Sequence, residues 1–343
     1  MSFNPRNILV IDFGQLGDVV MSLPALRALR ERFPGARITA AVGKPGHEVV
    51  EMSGYADAII AVDRVSLRDG FKPLSIARIF QIVRDVRRRH FDFVIDLHSL
   101  SETNLLGFFS GASKRLFSRR PGRSLDFLAN FIPRPPVEVD HRQRHSVDRY
   151  LDVLRPLGVK DAPRLPQLKT RIENDRAIDA ILRKEKADIG APLVGLFPGA
   201  GHPSRRWALE KFAELADFLA RNDGVRPIIF AGPEERSLVT EMRARFPRSS
   251  VILHGLTIRQ LASAQARLAA FVSNDTGPMH IAAAVGTPIV LLLDRRAPES
   301  YLPLSEPKKV IYSATIPEIT VEEVYEATRE LLTNERSASL FAI

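Results

Sequence analysis

Three short loops in this 343-residue chain carry the residue types that handle phosphate and sugar groups, and each lies between an apolar run and a helical pattern. They are Asp12-Phe-Gly-Gln-Leu-Gly-Asp18, Pro198-Gly-Ala-Gly-His-Pro-Ser-Arg-Arg-Trp207 and Ser273-Asn-Asp-Thr-Gly-Pro-Met-His280. A strand that breaks at small and polar residues and restarts as a helix presents backbone N–H groups and a positive dipole end, which together favour an anion. In the first loop Gly14 and Gly17 permit a tight turn, and Asp18 is expected where the helix opens. That carboxylate has two uses, as an N-cap or as a proton acceptor in a reaction. The second loop sets Gly199, Ala200 and Gly201 beside His202, Arg205 and Arg206, a backbone cradle with the cations a pyrophosphate needs. In the third, Asp275 or Thr276 is expected to cap a helix whose first turn holds Gly277 and Pro278. Capping does not account for His280 or for a carboxylate in place of a serine, so ligand contact is expected of Asp275, Thr276, Gly277 and His280. A fourth loop, Ala231-Gly-Pro-Glu-Glu-Arg236, offers Glu234 and Glu235 either to ribose hydroxyls or as first-turn helix charges.

The elements that must hold these loops alternate from end to end. In the first half, strands are expected over 8–11, 37–42, 58–62 and 91–97, with helices near 19–32, 74–89 and 146–154. The second half repeats the plan, with strands over 193–197, 227–231, 251–253, 270–273 and 289–293 and helices near 209–221, 235–245, 258–267 and 278–284. Such alternation predicts an α/β chain built of two doubly wound, Rossmann-like domains with parallel sheets. Their expected limits are 1–165 and 192–318, joined by a linker region over 166–191 that contains a helix near 174–186. A final segment, 319–343, spaces Val321, Val324, Ala327, Leu331 and Leu332 as an amphipathic helix that packs on one domain. Ligands of open α/β sheets bind beyond the carboxyl ends of the strands, so a central cleft faced by both sheets is the expected site.

Composition narrows the class. With 45% hydrophobic and 26% charged residues the chain reads as an ordinary soluble globular protein, and no apolar run approaches the roughly 20 residues of a membrane span. The absence of cysteine excludes disulfides, thiolate metal ligands and a cysteine nucleophile. The start of the chain shows no secretory leader, and the cytoplasm is the expected location. A net charge of +9 points to an anionic partner. Basic clusters fall in the first half, at 84–90, Lys114-Arg115, Arg119-Arg120-Pro-Gly-Arg123 and 141–145. Aromatic residues make up 7% and do not interleave with the basic ones, which argues against nucleic acid. The first loop has Gly-x-x-Gly without the full dinucleotide fingerprint, so a dinucleotide cofactor is not expected.

Taken in order, Gly17-Asp18 with Pro24-Ala25-Leu26, Pro198-Gly199-Ala200 with Arg205-Arg-Trp207, and Asp275-Thr-Gly-Pro-Met-His280 resemble the ADP-heptose:lipopolysaccharide heptosyltransferases, glycosyltransferase family 9. The resemblance implies the GT-B fold and an inverting, metal-independent transfer of heptose from ADP-heptose to the lipopolysaccharide inner core, with no cofactor. It implies that Asp18 is the general base and that Arg205 holds the donor phosphates. Asp275 would then contact the heptose, while Thr276 and Gly277 hold the diphosphate. Ala200, Gly201, Arg206, His280 and one of Glu234 and Glu235 complete the expected donor side. The acceptor side is expected at Gly17, Asp96 and His98, with Arg119 and Arg120 facing an anionic lipopolysaccharide precursor at an anionic membrane surface. Two positions depart from the family pattern: Glu102 stands where a glycine and a basic residue are common, and Arg205 replaces the usual lysine. Two rival readings are a GT-B enzyme for another nucleotide sugar and a nucleotide-sugar-binding protein without turnover. A pure binder has little use for a carboxylate facing a diphosphate, which counts against the second.

Overall fold

The expected apolar runs assemble into two parallel sheets. The computed structural model describes residues 3–63, 73–138, 144–185 and 190–340; residues 141–143 of a basic cluster and Lys186 at the expected end of a helix lie outside them. The chain divides into two compact units, Met1–Gln167 with Glu299–Leu302, and Leu168–Pro298 with Pro303–Ile343.

In the first unit, β1 (Asn7–Asp12), β2 (Arg37–Gly43), β3 (Ala58–Val62), β4 (Phe93–Asp96) and β5 (Lys114–Phe117) run in the order β3-β2-β1-β4-β5. Ile8, Leu9, Val10 and Ile11 are all buried, so β1 is a continuous apolar run because helices cover both faces of the sheet. The winding direction reverses between β1 and β4, whose register sets Ile11 opposite Asp96. The helices of this unit are α1 (Leu16–Arg32), α2 (Lys44–Ser53), α3 (Pro73–Arg88), α4 (Ser101–Phe109) and α5 (Ser146–Asp152).

Three of these elements, β5, α2 and α4, are absent from the sequence-based expectation. Strand β5 reads Lys-Arg-Leu-Phe and has only two apolar residues to announce it. Helix α4 carries Gly107, a poor helix former, yet a Cβ there would lie 2.8 Å from the Phe117 ring, so its glycine is what lets α4 approach β5.

The second unit opens with α6 (Ile172–Lys184) and winds through β6 (Leu193–Phe197), α7 (Leu209–Asp223), β7 (Arg226–Ala231), α8 (Val239–Arg245), β8 (Val251–His254) and α9 (Ile258–Gln265). It continues with β9 (Ala270–Asn274), α10 (Gly277–Ala284), β10 (Ile289–Asp294), β11 (Lys308–Ser313) and α11 (Val321–Leu340). The order is β11-β10-β9-β6-β7-β8, so the winding reverses between β6 and β9. Edge strand β11 was not expected, since it starts with two lysines and no residue in it is fully buried. Val321, Val324, Leu331 and Leu332 of α11 pack into the same core as Trp207, Phe212 and the apolar residues of β6 and β9. The segment Glu299–Leu302, expected in the second domain, belongs instead to the first unit, where Tyr301 accepts a hydrogen bond from Arg149 at 3.3 Å.

Candidate active site

Both groups of predicted loops sit where their sheet changes winding direction, the place where strand ends diverge and leave room for a ligand. In the first unit β1 ends at Asp12, whose Oδ1 accepts the Gly14 N–H at 2.9 Å. Helix α1 begins at Leu16, so Asp18 is its third residue and neither opens the helix nor serves as its N-cap. Its Oδ2 accepts the Gln15 N–H at 2.9 Å, which fixes the carboxylate in the first turn and leaves it half-buried. Gly17 precedes it as the second helical residue.

Near Asp18 lies a set of buried and part-buried groups from the ends of β1 and β4 and from α5. His98 Nδ1 stands 3.6 Å from Asp12 Oδ1. Asp96 is fully buried and accepts the Ser99 N–H at 2.7 Å and the Asn104 amide at 2.7 Å. Burial, with a smaller push from the nearby Asp12, raises its carboxyl to about 7, although those hydrogen bonds work the other way. Asp96 therefore does not face an acceptor as expected; it ends a central strand under α4 and ties that helix to the sheet. Burial first, and then the charges of Asp18 and Asp12, push the Tyr150 hydroxyl well above its ordinary value. The predicted cations of this unit are also engaged. Arg120 Nε is 2.6 Å from Glu138, an acid shared with Arg149, so Arg120 belongs to an internal ion network rather than to an acceptor surface. Arg119 is half-exposed, 3.5 Å from Asp126. Glu102 is exposed in the first turn of α4.

In the second unit the loops after β6 and β9 meet because those strands are neighbours. Asn274, the last residue of β9, joins them: its amide donates to Gly199 O at 3.1 Å, and its Oδ1 accepts the Trp207 N–H at 3.0 Å. Trp207 is anchored in turn, with its indole N–H donating to Ile319 O at 2.9 Å and its ring edge-on to Phe212. This arrangement sets Arg205 Nη1 3.4 Å from Asp275 Oδ2. Burial raises the Asp275 carboxyl and Arg205 pulls it back down. Asp275 thus pairs across the loops and does not cap α10. Thr276 holds the N-cap position, but its hydroxyl lies 3.1 Å from Ser273 Oγ and makes no cap hydrogen bond. Gly277 opens α10 and His280 is buried on it.

The neighbouring predicted residues separate by role. Arg206 departs from the expectation of a phosphate-facing cation, because its Nε and Nη2 both donate to Ala200 O, at 3.1 and 3.0 Å, and close the loop on itself. Ala200 is buried and Gly201 exposed at the loop tip. Glu234 is exposed, whereas Glu235 is buried with its Oε2 accepting the Gly232 N–H at 3.1 Å. A Cβ on Gly199 would lie 2.4 Å from Glu235 Oε1, so the carboxyl rests directly against the backbone of the second loop. Burial, chiefly, raises its proton affinity. Sequence reasoning singled out neither Asp12 nor Asn274; each ends its strand, the position that could have flagged it. Among the described residues, no group of three His, Asp or Glu side chains could hold a metal ion.

Comparisons with known proteins bear on the family and the fold. The pattern of glycosyltransferase family 9 (heptosyltransferase) matches residues 79–328. Lipopolysaccharide heptosyltransferase 2 of Salmonella typhimurium (strain LT2) is 26% identical, over 96% of this chain and 99% of that protein. A family 9 glycosyltransferase from Veillonella parvula DSM 2008 superposes with a TM-score of 0.85 at 25% identity, over 97% of this chain and 99% of that one. The E. coli heptosyltransferase WaaC, solved with ADP-2-deoxy-2-fluoro heptose, shares the fold at a TM-score of 0.75 and 18% identity, over 94% of this chain and 99% of that one. With two doubly wound parallel sheets, loops converging at the switch point of each, and a family pattern covering most of its length, this chain belongs to glycosyltransferase family 9, the heptosyltransferases.

Proposed function

We propose that this chain transfers heptose from ADP-heptose to the inner core of lipopolysaccharide, inverting the anomeric carbon and using no metal ion. The observation that carries this reading is the Arg205–Asp275 pair beside the start of α10, in a chain whose curated relatives over nearly full length are named lipopolysaccharide heptosyltransferases. In the proposed reaction Asp18 takes the proton of the acceptor hydroxyl as its oxygen attacks the anomeric carbon. The bond from that carbon to the diphosphate oxygen breaks, and ADP leaves with the electron pair. Arg205 and the N–H groups of the first turn of α10 meet the charge on the leaving diphosphate, which is the work a metal would otherwise do. Asp275 accepts from heptose hydroxyls, and Glu235 accepts from the ribose.

The acceptor is an anionic, lipid-anchored saccharide, for which a chain of net charge +9 is suited. The proposed place of work is the cytoplasmic face of the inner membrane.

The test is incubation of the purified protein with ADP-heptose and a heptose-free lipopolysaccharide precursor, with EDTA present, read by mass spectrometry. One added heptose is expected, and Asp18→Asn should abolish transfer while calorimetry still shows ADP binding in preference to UDP and GDP. Transfer from a UDP- or GDP-sugar alone would remove the donor assignment and leave the family intact.

A further inference from the structure

Large apolar side chains reach solvent on three neighbouring elements of the first unit. They are Ile79 and Phe80 on α3, Leu105, Phe108 and Phe109 on α4, and Phe127 in the turn Asp126–Leu128, with Phe80 and Phe127 each about 70% exposed. Helix α4 contacts both α3 and that turn, so the three elements adjoin. Leu105, Phe108 and Phe109 share a helical face, spaced i, i+3 and i+4. On the opposite face Thr103, Asn104, Leu106 and Gly107 are buried, and Asn104 holds the helix to Asp96. Phe108 and Phe109 pack edge to face at 5.5 Å, and the Arg115 guanidinium lies 5.3 Å from the Phe108 ring centre. Leaving several Phe side chains partly in water forgoes hydrophobic stabilisation, and clusters of exposed large apolar residues mark interaction surfaces.

The charges around this patch identify what covers it. Between Pro73 and Glu138 the chain has eleven Lys and Arg against six Asp and Glu. Four of those acids are engaged: Asp92 by backbone N–H groups of Arg6 and Asn7, Asp96 by burial, and Asp126 and Glu138 by arginines. Asp85 on α3 and Glu102 on α4 are the exposed exceptions. Arg84 and Arg88 follow Phe80 by one and two helical turns, and both are exposed, as are Lys114 and Arg123. A second copy of the chain docked on the same face would bring two surfaces of like positive charge together. A surface of anionic lipid headgroups over acyl chains satisfies both the cations and the rings.

We propose that this face seats on an anionic phospholipid bilayer, with Phe80, Phe108, Phe109 and Phe127 entering the acyl boundary and Arg84, Arg88, Lys114 and Arg123 at the phosphates. Among the described residues no helix is long and apolar enough to cross a membrane, and the proposed attachment is made by the side chains of this face. The inference rests on the transferase reading only for its purpose, delivery of the enzyme to a lipid-borne acceptor.

The test is flotation of the full chain with vesicles of phosphatidylglycerol and phosphatidylethanolamine, against phosphatidylcholine alone, beside turnover on a delipidated acceptor. The wild type should float with the anionic vesicles only. A Phe80→Ser/Phe108→Ser/Phe109→Ser variant should lose about tenfold or more of its partitioning, and Arg84→Ala/Arg88→Ala should weaken the salt-sensitive part. Both variants should turn over the delipidated acceptor at the wild-type rate. Wild-type protein that ignores anionic vesicles, or a triple serine variant that floats undiminished, overturns the proposal. A triple serine variant that converts a dimer to a monomer in sedimentation also overturns it, by assigning the face to a second copy. Floating protein without turnover would indict the transferase reading instead.

Discussion

The backbone of Gly14 lies so close to Asp18 that a Cβ on it would fall 2.3 Å from the Asp18 Cβ, and 3.0 Å from Asp12 Oδ1. The glycine is therefore the seat on which the proposed base rests. Gly14→Ala should push Asp18 out of reach of the acceptor hydroxyl and lower kcat by about 10²-fold or more, approaching the loss in Asp18→Ala, since general-base help is worth about 10²–10⁴. Steady-state kinetics beside a melting curve checks this, and a Gly14→Ala enzyme with full kcat would detach Asp18 from the chemistry.

Arg205 and Arg206 are adjacent in sequence and should fail differently. Arg205→Ala removes the exposed cation next to Asp275 and should raise the donor KM about 10- to 100-fold, because hydrogen bonds to charged groups are worth about 1.5–3 kcal/mol. Arg206→Ala instead removes two bonds to Ala200 O and should cost roughly 1–2 kcal/mol of stability. Donor titration and denaturant midpoints on the two variants separate the cases; equal effects on KM would refute the division of roles.

The two neighbouring acids after β7 are likewise distinguishable. Glu235 is buried against Gly199 and Gly232, while Glu234 points to solvent. Glu235→Ala should raise the donor KM about tenfold, as expected for one lost hydrogen bond of about 1 kcal/mol or more, and Glu234→Ala should leave it unchanged. The reverse result in ADP calorimetry would move the ribose contact to Glu234.

Asp96 predicts a pH dependence of stability. In the folded chain it holds its proton up to about 7, whereas an unfolded aspartate loses it near 4. The native state therefore binds the extra proton between those values, and this contribution to stability falls as pH rises from about 4 to about 7, then levels off. Asp96→Asn, which cannot ionise, should flatten that slope. Denaturant midpoints of both proteins from pH 4.5 to 8 provide the comparison, and an unchanged slope in the variant would assign the effect to another group.

Much of this protein was legible in its sequence for a definite reason. Strands buried on both faces must be continuous apolar runs, so β1, β6 and β10 were readable to within a residue, and helix patterns with end signals located α1, α7 and α10. What failed were elements whose stability comes from contacts distant in sequence. Strand β5 exists because β4 pairs with it, β11 because β10 does, and α4 because Gly107 meets Phe117.

The candidate site divides in the same way. By itself the sequence determined that Asp18, Arg205 and Asp275 fall at junctions between a strand and the helix that follows it, since the chemistry of such junctions is local and glycine, proline and charge announce it. Only the tertiary structure decided which of these side chains are available and which are spent. Arg205 and Arg206 are the same residue type one position apart, and Glu234 and Glu235 are likewise a matched pair. What separates the members of each pair is whether a carbonyl, a glycine backbone or water faces the side chain, and those neighbours come from how the loop closes and how adjacent strands pair. Asn274 makes the point most directly: its sequence context marks a strand end, and its function of stitching two loops together exists only because β6 and β9, 73 to 81 positions apart along the chain, are neighbours in the sheet.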